Sequence, residues 1–176
     1  SAIIFSGHFA NWELLAPAAE AFGLPLTLIY RRPNNPIVGR LIDRARRHGS
    51  GTLVPKGRGG AKALVDALRR GASVALLVDQ KMNDGLPIPF FGREAMTAPA
   101  VAQLALRFDA PLIPARVERL RGARFRITIQ PPMALPADGD RHAAVRTVLT
   151  DVNRLLETWI RERPEQWLWL HRRWPD

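Results

Sequence analysis

The sequence predicts a single α/β domain, a central and mostly parallel sheet of about six strands flanked by helices. Three observations predict it. Short apolar runs recur along the chain, helical patterns separate most of them, and 176 residues that are 47% apolar and 24% charged are enough for one well-buried core. Residues 1–176 are therefore read as one domain.

The run Ala2, Ile3, Ile4, Phe5 does not alternate, as expected of a strand buried on both faces. Ser6-Gly7 makes a tight exit, and Asn11 reads as the N-cap of a helix over 12–22. Further strands are expected at 26–30, 52–54, 73–78 and 112–117, with helices at 37–47, 60–70 and 99–107. Phe125, Ile127 and Ile129 alternate, which makes 125–130 an antiparallel edge. Pro131-Pro132 and the 136–139 segment mark a connection to a long helix over 141–163. Its Val145, Val148, Val152, Leu155, Leu156 and Trp159 fall on one side as a core stripe.

The 26 basic residues outnumber the 16 acidic ones for a net charge of +10, and only Lys56, Lys62 and Lys81 are lysines. Guanidinium forks suit anionic partners, so nucleic acid, a membrane surface and an anionic lipid all fit this charge. A GC-rich genome accounts for part of the bias. Nucleic acid ranks last, because the aromatics lie in apolar contexts and no recognition motif is present. The absence of cysteine excludes disulfides, thiolate catalysis and Cys-based zinc sites. His48, His142 and His171 are scattered, which argues against a metal site. Gly57-Arg58-Gly59-Gly60 lacks phosphate-loop spacing and reads as a turn into a helix. No apolar run reaches the ~18 residues needed to span a bilayer. Ser1 opens almost directly into a strand without an initiator Met, so the chain reads as part of a longer protein, in whose missing portion any membrane anchor would lie.

The chemistry concentrates in Gly7-His8-Phe9-Ala10-Asn11-Trp12-Glu13, where an imidazole and a carboxylate stand five residues apart at the expected exit of the first strand. Histidine takes protons near neutral pH, and a carboxylate can fix its tautomer and stabilise the imidazolium. With no nucleophile paired to it, the hydroxyl it activates belongs to a substrate. The plainer alternative makes Glu13 a partner of the helix dipole and His8 a surface residue. Arg31 and Arg32 would reach the same sheet edge as His8, and either can bind an anionic group.

Several segments in order carry a resemblance: the His8 box; Tyr30-Arg31-Arg32-Pro33-Asn34-Asn35-Pro36; Leu77-Val78-Asp79-Gln80; Pro89-Phe90-Phe91-Gly92; Ala110-Pro111-Leu112-Ile113-Pro114; and the closing Pro164-Glu165-Gln166-Trp167-Leu168-Trp169-Leu170-His171-Arg172-Arg173-Trp174. Together they resemble the lipid A late acyltransferases, the lauroyl and myristoyl branch of the lysophospholipid acyltransferase superfamily. The Phe-Pro-Glu-Gly motif of glycerol-phosphate acyltransferases is absent, which disfavours a glycerolipid acceptor.

The resemblance implies a glycerol-phosphate-acyltransferase-like fold. It implies transfer of an acyl chain from an acyl carrier protein (or coenzyme A) thioester to a hydroxyl of an anionic glycolipid, a lipid A precursor, at the cytoplasmic face of the inner membrane. His8 would be the general base and Glu13 its orienter, with no cofactor and no metal. Arg31, Arg32 and Asn34 would bind substrate, Asp79 would anchor one of the arginines with Gln80 adding a hydrogen bond, and Phe90 and Phe91 would line the acyl channel or pack in the core. Trp167, Trp169 and Trp174, interleaved with His171, Arg172 and Arg173, suit a membrane surface. The alternatives are transfer to another glycolipid such as mannosylated phosphatidylinositol, hydrolysis of the thioester, and a nucleic-acid-binding module.

Overall fold

The computed structural model describes residues 1–30, 35, 37, 39–41, 51–55, 57–137 and 139–174. Strands β1 (Ile3–Ser6), β2 (Leu26–Tyr30), β3 (Thr52–Pro55), β4 (Ser73–Leu77), β7 (Leu112–Arg121) and β8 (Arg124–Ile129) form one six-stranded sheet, in the spatial order β3-β2-β4-β1-β7-β8. Every neighbouring pair is parallel except the β7–β8 edge hairpin, as the alternation near its end requires.

β1 lies centrally and is buried along its whole length. Its Ile3 and Phe5 face the larger core, shared with α2 (Arg58–Arg69), α3 (Ala100–Phe108) and α4 (Arg141–Glu162). Ile4 faces a smaller core with Leu15 of α1 (Leu15–Ala21). A strand sandwiched in this way has no solvent side, which explains its unbroken apolar run. On α4 the buried side chains include Val145, Val148, Leu149, Val152, Leu156 and Trp159, whereas Leu155 is only partly buried. Asp140 caps this helix by accepting from the Ala143 N–H at 2.9 Å.

Two expectations about elements are corrected. The helix expected over 12–22 opens as a 3-10 turn, Trp12–Leu14, and the Asn11 side chain makes no cap bond. Pro17 lacks the N–H that would close an α-type bond to the Glu13 carbonyl, so the first turn tightens instead, with the Leu14 N–H donating to the Asn11 carbonyl at 3.1 Å. Of the helix expected over 37–47, residues 37 and 39–41 are helical and the remainder lies outside the described residues.

The second correction adds a two-stranded hairpin, β5 (Lys81–Phe90) and β6 (Arg93–Thr97), to the expected elements. Gly85, Pro87 and Pro89 conceal it in the sequence. Phe90 pairs with Arg93 across a two-residue turn, so Pro87 and Pro89 occupy positions whose missing N–H would face away from β6. The turn residues Phe91 and Gly92 both have positive φ, 52° and 74°. Phe91 is held there as its N–H donates to the Glu157 carboxylate at 2.7 Å, with the Arg161 guanidinium 4.6 Å from its ring centre.

Candidate active site

The register of β1 on β4 places the central pair. Ser6 stands opposite Leu77, and two residues further along each strand His8 meets Asp79. Both lie at the carboxyl ends of adjacent parallel strands, the edge where open α/β sheets gather their ligands. The His8 backbone N–H donates to Asp79 Oδ2 at 3.0 Å and the imidazole Nδ1–H donates to Oδ1 at 2.7 Å. A third donor, the Trp167 indole N–H, reaches Oδ2 at 2.9 Å.

Burial pushes the Asp79 carboxyl up, but the imidazole hydrogen bond and charge, the His8 backbone N–H and the Trp167 indole outweigh it and hold the group below its usual range. An ionised carboxylate only accepts, so Nδ1 of a neutral His8 must carry the proton and Nε2 presents its lone pair. The His8 side chain keeps 15% of its surface, whereas that of Asp79 keeps 1%. The Trp12 ring meets the imidazole edge-on at 4.8 Å, and the exposed Gln80 places its amide nitrogen 3.3 Å from Nε2. Ser6, two residues from His8, is buried, with its hydroxyl donating to the Gly7 carbonyl.

This approach needs Gly7. A Cβ there would stand 2.6 Å from Cε2 of the buried Phe9 ring and 3.2 Å from Asp79 Cγ. After it the chain turns sharply: the Phe9 N–H donates to the Gly7 carbonyl at 2.8 Å and Ala10 takes a φ of 48°. A non-glycine residue in that region costs about 1 kcal/mol and persists only where its surroundings hold it. They do so here through the closing segment. The Ala10 N–H donates to the Gln166 carbonyl at 2.7 Å, the Leu168 N–H donates to the His8 carbonyl at 2.8 Å, and Phe9 and Trp167 form an antiparallel bridge.

Glu13 is exposed on the 3-10 turn beside Trp12, and Phe90 is fully buried with Phe91 partly so. Phe90 stacks on Trp174 at 5.7 Å and meets Trp167 edge-on at 6.1 Å. Arg31, Arg32 and Asn34 lie outside the described residues, and among those described the Asp79 carboxylate takes its donors from His8 and Trp167. Arg173, expected at a membrane surface, is instead buried close to the site. It is 1% exposed, donates to the Met96 carbonyl at 2.9 Å and to Thr97 Oγ1 at 2.7 Å, and lies under Phe90 at 5.0 Å. Burial lowers its pKa to about 10 against the opposing charge of Asp79, so it stays protonated at neutral pH.

An open groove of about 400 Å³, lined by Ala10, Trp12, Arg119, Glu165, Gln166, Trp167 and Leu168, reaches the pair's neighbours Trp12 and Trp167 without being lined by His8 or Asp79. Among the described residues no three His, Cys, Asp or Glu side chains gather as a metal site would require. The arrangement can accept a proton at Nε2 from a hydroxyl brought in from solvent and stabilise the imidazolium that results.

Fold and site together define an α/β protein with a hydrogen-bonded histidine–carboxylate pair at the carboxyl edge of a parallel sheet. The bacterial lipid A biosynthesis acyltransferase family model matches residues 1–176, and the chain belongs to that family. It is 30% identical over 173 residues to the lipid A biosynthesis palmitoleoyltransferase of Escherichia coli K12, covering 94% of this chain and 53% of that protein. The lauroyltransferase of the same organism is 28% identical over 172 residues, with coverages of 94% and 53%. Its myristoyltransferase is 26% identical over 166 residues, with coverages of 91% and 50%. The chain thus spans about half the length of these curated relatives.

Proposed function

We propose that the protein transfers a fatty acyl chain from an acyl thioester, carried on acyl carrier protein or coenzyme A, to a hydroxyl of a lipid A precursor. The observation that carries this reading is the His8–Asp79 hydrogen bond of 2.7 Å, which commits Nδ1 and leaves Nε2 as the base. The acceptor hydroxyl displaces the Gln80 amide and gives its proton to Nε2 as its oxygen bonds to the thioester carbon. The tetrahedral intermediate collapses by breaking the C–S bond, and the imidazolium returns the proton to the leaving thiolate. Asp79 fixes the tautomer, and Glu13 adds negative charge from the exposed turn beside Trp12. Arg31, Arg32 and Asn34 bind the anionic parts of the substrates, and the acyl chain lies towards Phe90 and Phe91.

The site would work at a membrane surface. Leu168, Trp169 and Leu170 are 40%, 57% and 72% exposed in one run, and the first of them is bonded to the His8 backbone. No helix among the described residues is long and apolar enough to cross a membrane. Such an exposed aromatic–aliphatic ridge suits the interfacial layer of a bilayer, with Arg172 beside it for anionic headgroups.

The test is transfer of labelled acyl chain from acyl carrier protein to a lipid A precursor by the purified protein, with acylated lipid read by mass spectrometry. His8→Ala should lose about 10²-fold or more in rate in a protein that still folds, its melting midpoint lowered by the loss of the bond to Asp79. Near-normal transfer by that variant would remove the base assignment. Thioester consumption that is indifferent to the acceptor would make the protein a hydrolase instead.

A further inference from the structure

We infer that Trp167 is a positioning residue of the His8–Asp79 pair: its indole N–H, carried on the 166–168 segment, locks the Asp79 carboxylate in the plane that orients the imidazole. This rests on reading His8 as the base. Three donors meet this one carboxylate, Nδ1–H and the backbone N–H of His8 together with the indole N–H, at 2.7, 3.0 and 2.9 Å. The first two come from a single residue and define only an axis about which the carboxylate can tilt. A donor from an independent segment fixes the plane.

The chemistry of the third donor matters as much as its place. Indole donates and never accepts, so it satisfies Asp79 Oδ2 without offering a site for a shared proton. The carboxylate stays ionised and acceptor-only, and the imidazole is confined to the tautomer with Nε2 open. A hydroxyl or water in the same place could reorient and would not impose that choice.

The indole is itself held rigidly. Its ring stacks on Trp169 at 5.7 Å with an interplanar angle of 6° and meets Phe90 edge-on. The segment is clamped from two sides: residues 8–10 bind its backbone, and on the far side the Gln166 side chain takes the Arg119 N–H at 2.8 Å and donates to the Arg119 carbonyl at 3.0 Å. Arg119 belongs to β7, the neighbour of β1. The indole is thereby referenced to the same sheet that places His8 and Asp79.

The experiment compares the intact protein with two variants, Trp167→Phe and a form with 3-benzothienylalanine in place of Trp167. The second keeps the bicyclic shape and replaces only the N–H by sulfur, so it remains informative if the phenylalanine variant folds poorly. Nitrogen-15 shifts of the His8 ring under alkaline conditions, without substrate, should show the Nδ1–H tautomer dominating in the parent and losing population in both variants. With acyl carrier protein thioester and lipid A precursor, kcat should fall about tenfold while KM stays within about twofold, the loss expected for one charge-assisted hydrogen bond. An unchanged tautomer with unchanged kcat overturns the inference. So does a rise in KM alone, which would make Trp167 a substrate contact. A tautomer change in a protein that transfers no acyl chain would sustain the positioning role and refute the acyltransferase reading.

Discussion

His8 was legible in the sequence, because an imidazole just past an apolar run is a recognisable arrangement; Gln80 was expected to support an Asp79–arginine pair, and its place 3.3 Å from His8 Nε2 was not foreseen. Nor was the partner on Nδ1. Asp79 is 71 residues away and arrives through the pairing of β1 with β4, two strands that are not consecutive in the chain, so no local spacing records the contact. In retrospect the one available signal was symmetry, since each residue stands two places beyond the end of a buried strand. Asp79→Asn should keep the fold and lower kcat by about 10²–10⁴-fold, since an amide can present a donor to Nδ1 and favour the wrong tautomer. Glu13→Gln should reduce the rate less, because its carboxylate acts from an exposed turn. Parallel kinetics of the two variants rank the acids, and equal losses would give Glu13 an equal share of the orienting role.

The pH dependence follows from the same carboxylate. The native pKa of Asp79 lies below its unfolded value, so the native state gains stability from this group above about pH 4 and loses it as pH falls through the native pKa. In thermal unfolding of parent and Asp79→Asn protein across the acid range, the gap between their midpoints should narrow as pH falls below about pH 4. A gap independent of pH would assign the stabilisation to packing.

Among the elements, the six strands could be read from their apolar patterns: β1, buried on both faces, from its unbroken run, and the antiparallel edge β8 from its alternation. The β5–β6 hairpin could not. Its prolines fall where the ladder needs no N–H, a tolerance that only the pairing reveals. Ile88, Phe90 and Ala95 bury that hairpin in the main core, and polar bonds add to this: Asn153 donates to the Pro89 carbonyl at 3.0 Å, and Arg173 holds the Met96 carbonyl and Thr97. Arg173→Met removes both guanidinium bonds and leaves buried acceptors behind, for an expected loss of about 1–3 kcal/mol. Hydrogen exchange should locate the weakening in β6 and spare β3. Uniform loss of protection would show instead that Arg173 supports the whole core.

At the scale of the molecule, a net charge of +10 and an exposed apolar ridge beside the site make one coherent surface property. Binding to phosphatidylglycerol-containing vesicles should weaken as salt screens the charge and should fall further in Trp169→Ser, because an aromatic anchor and the headgroup attraction act together. Cosedimentation measures both. Equal binding by parent and variant would assign any vesicle affinity to charge alone.

The ribbon between residues 8–10 and 166–168 also sets a schedule. A ribosome makes the imidazole among the first of these residues, its carboxylate partner midway, and the indole that reaches that carboxylate another 88 residues later. Until the 166–168 segment has emerged and folded back against β7, the growing polypeptide carries the imidazole without its complete surroundings. The pair is therefore completed only once the 166–168 segment has been made, and a product that stops before residue 164 would lack part of the site.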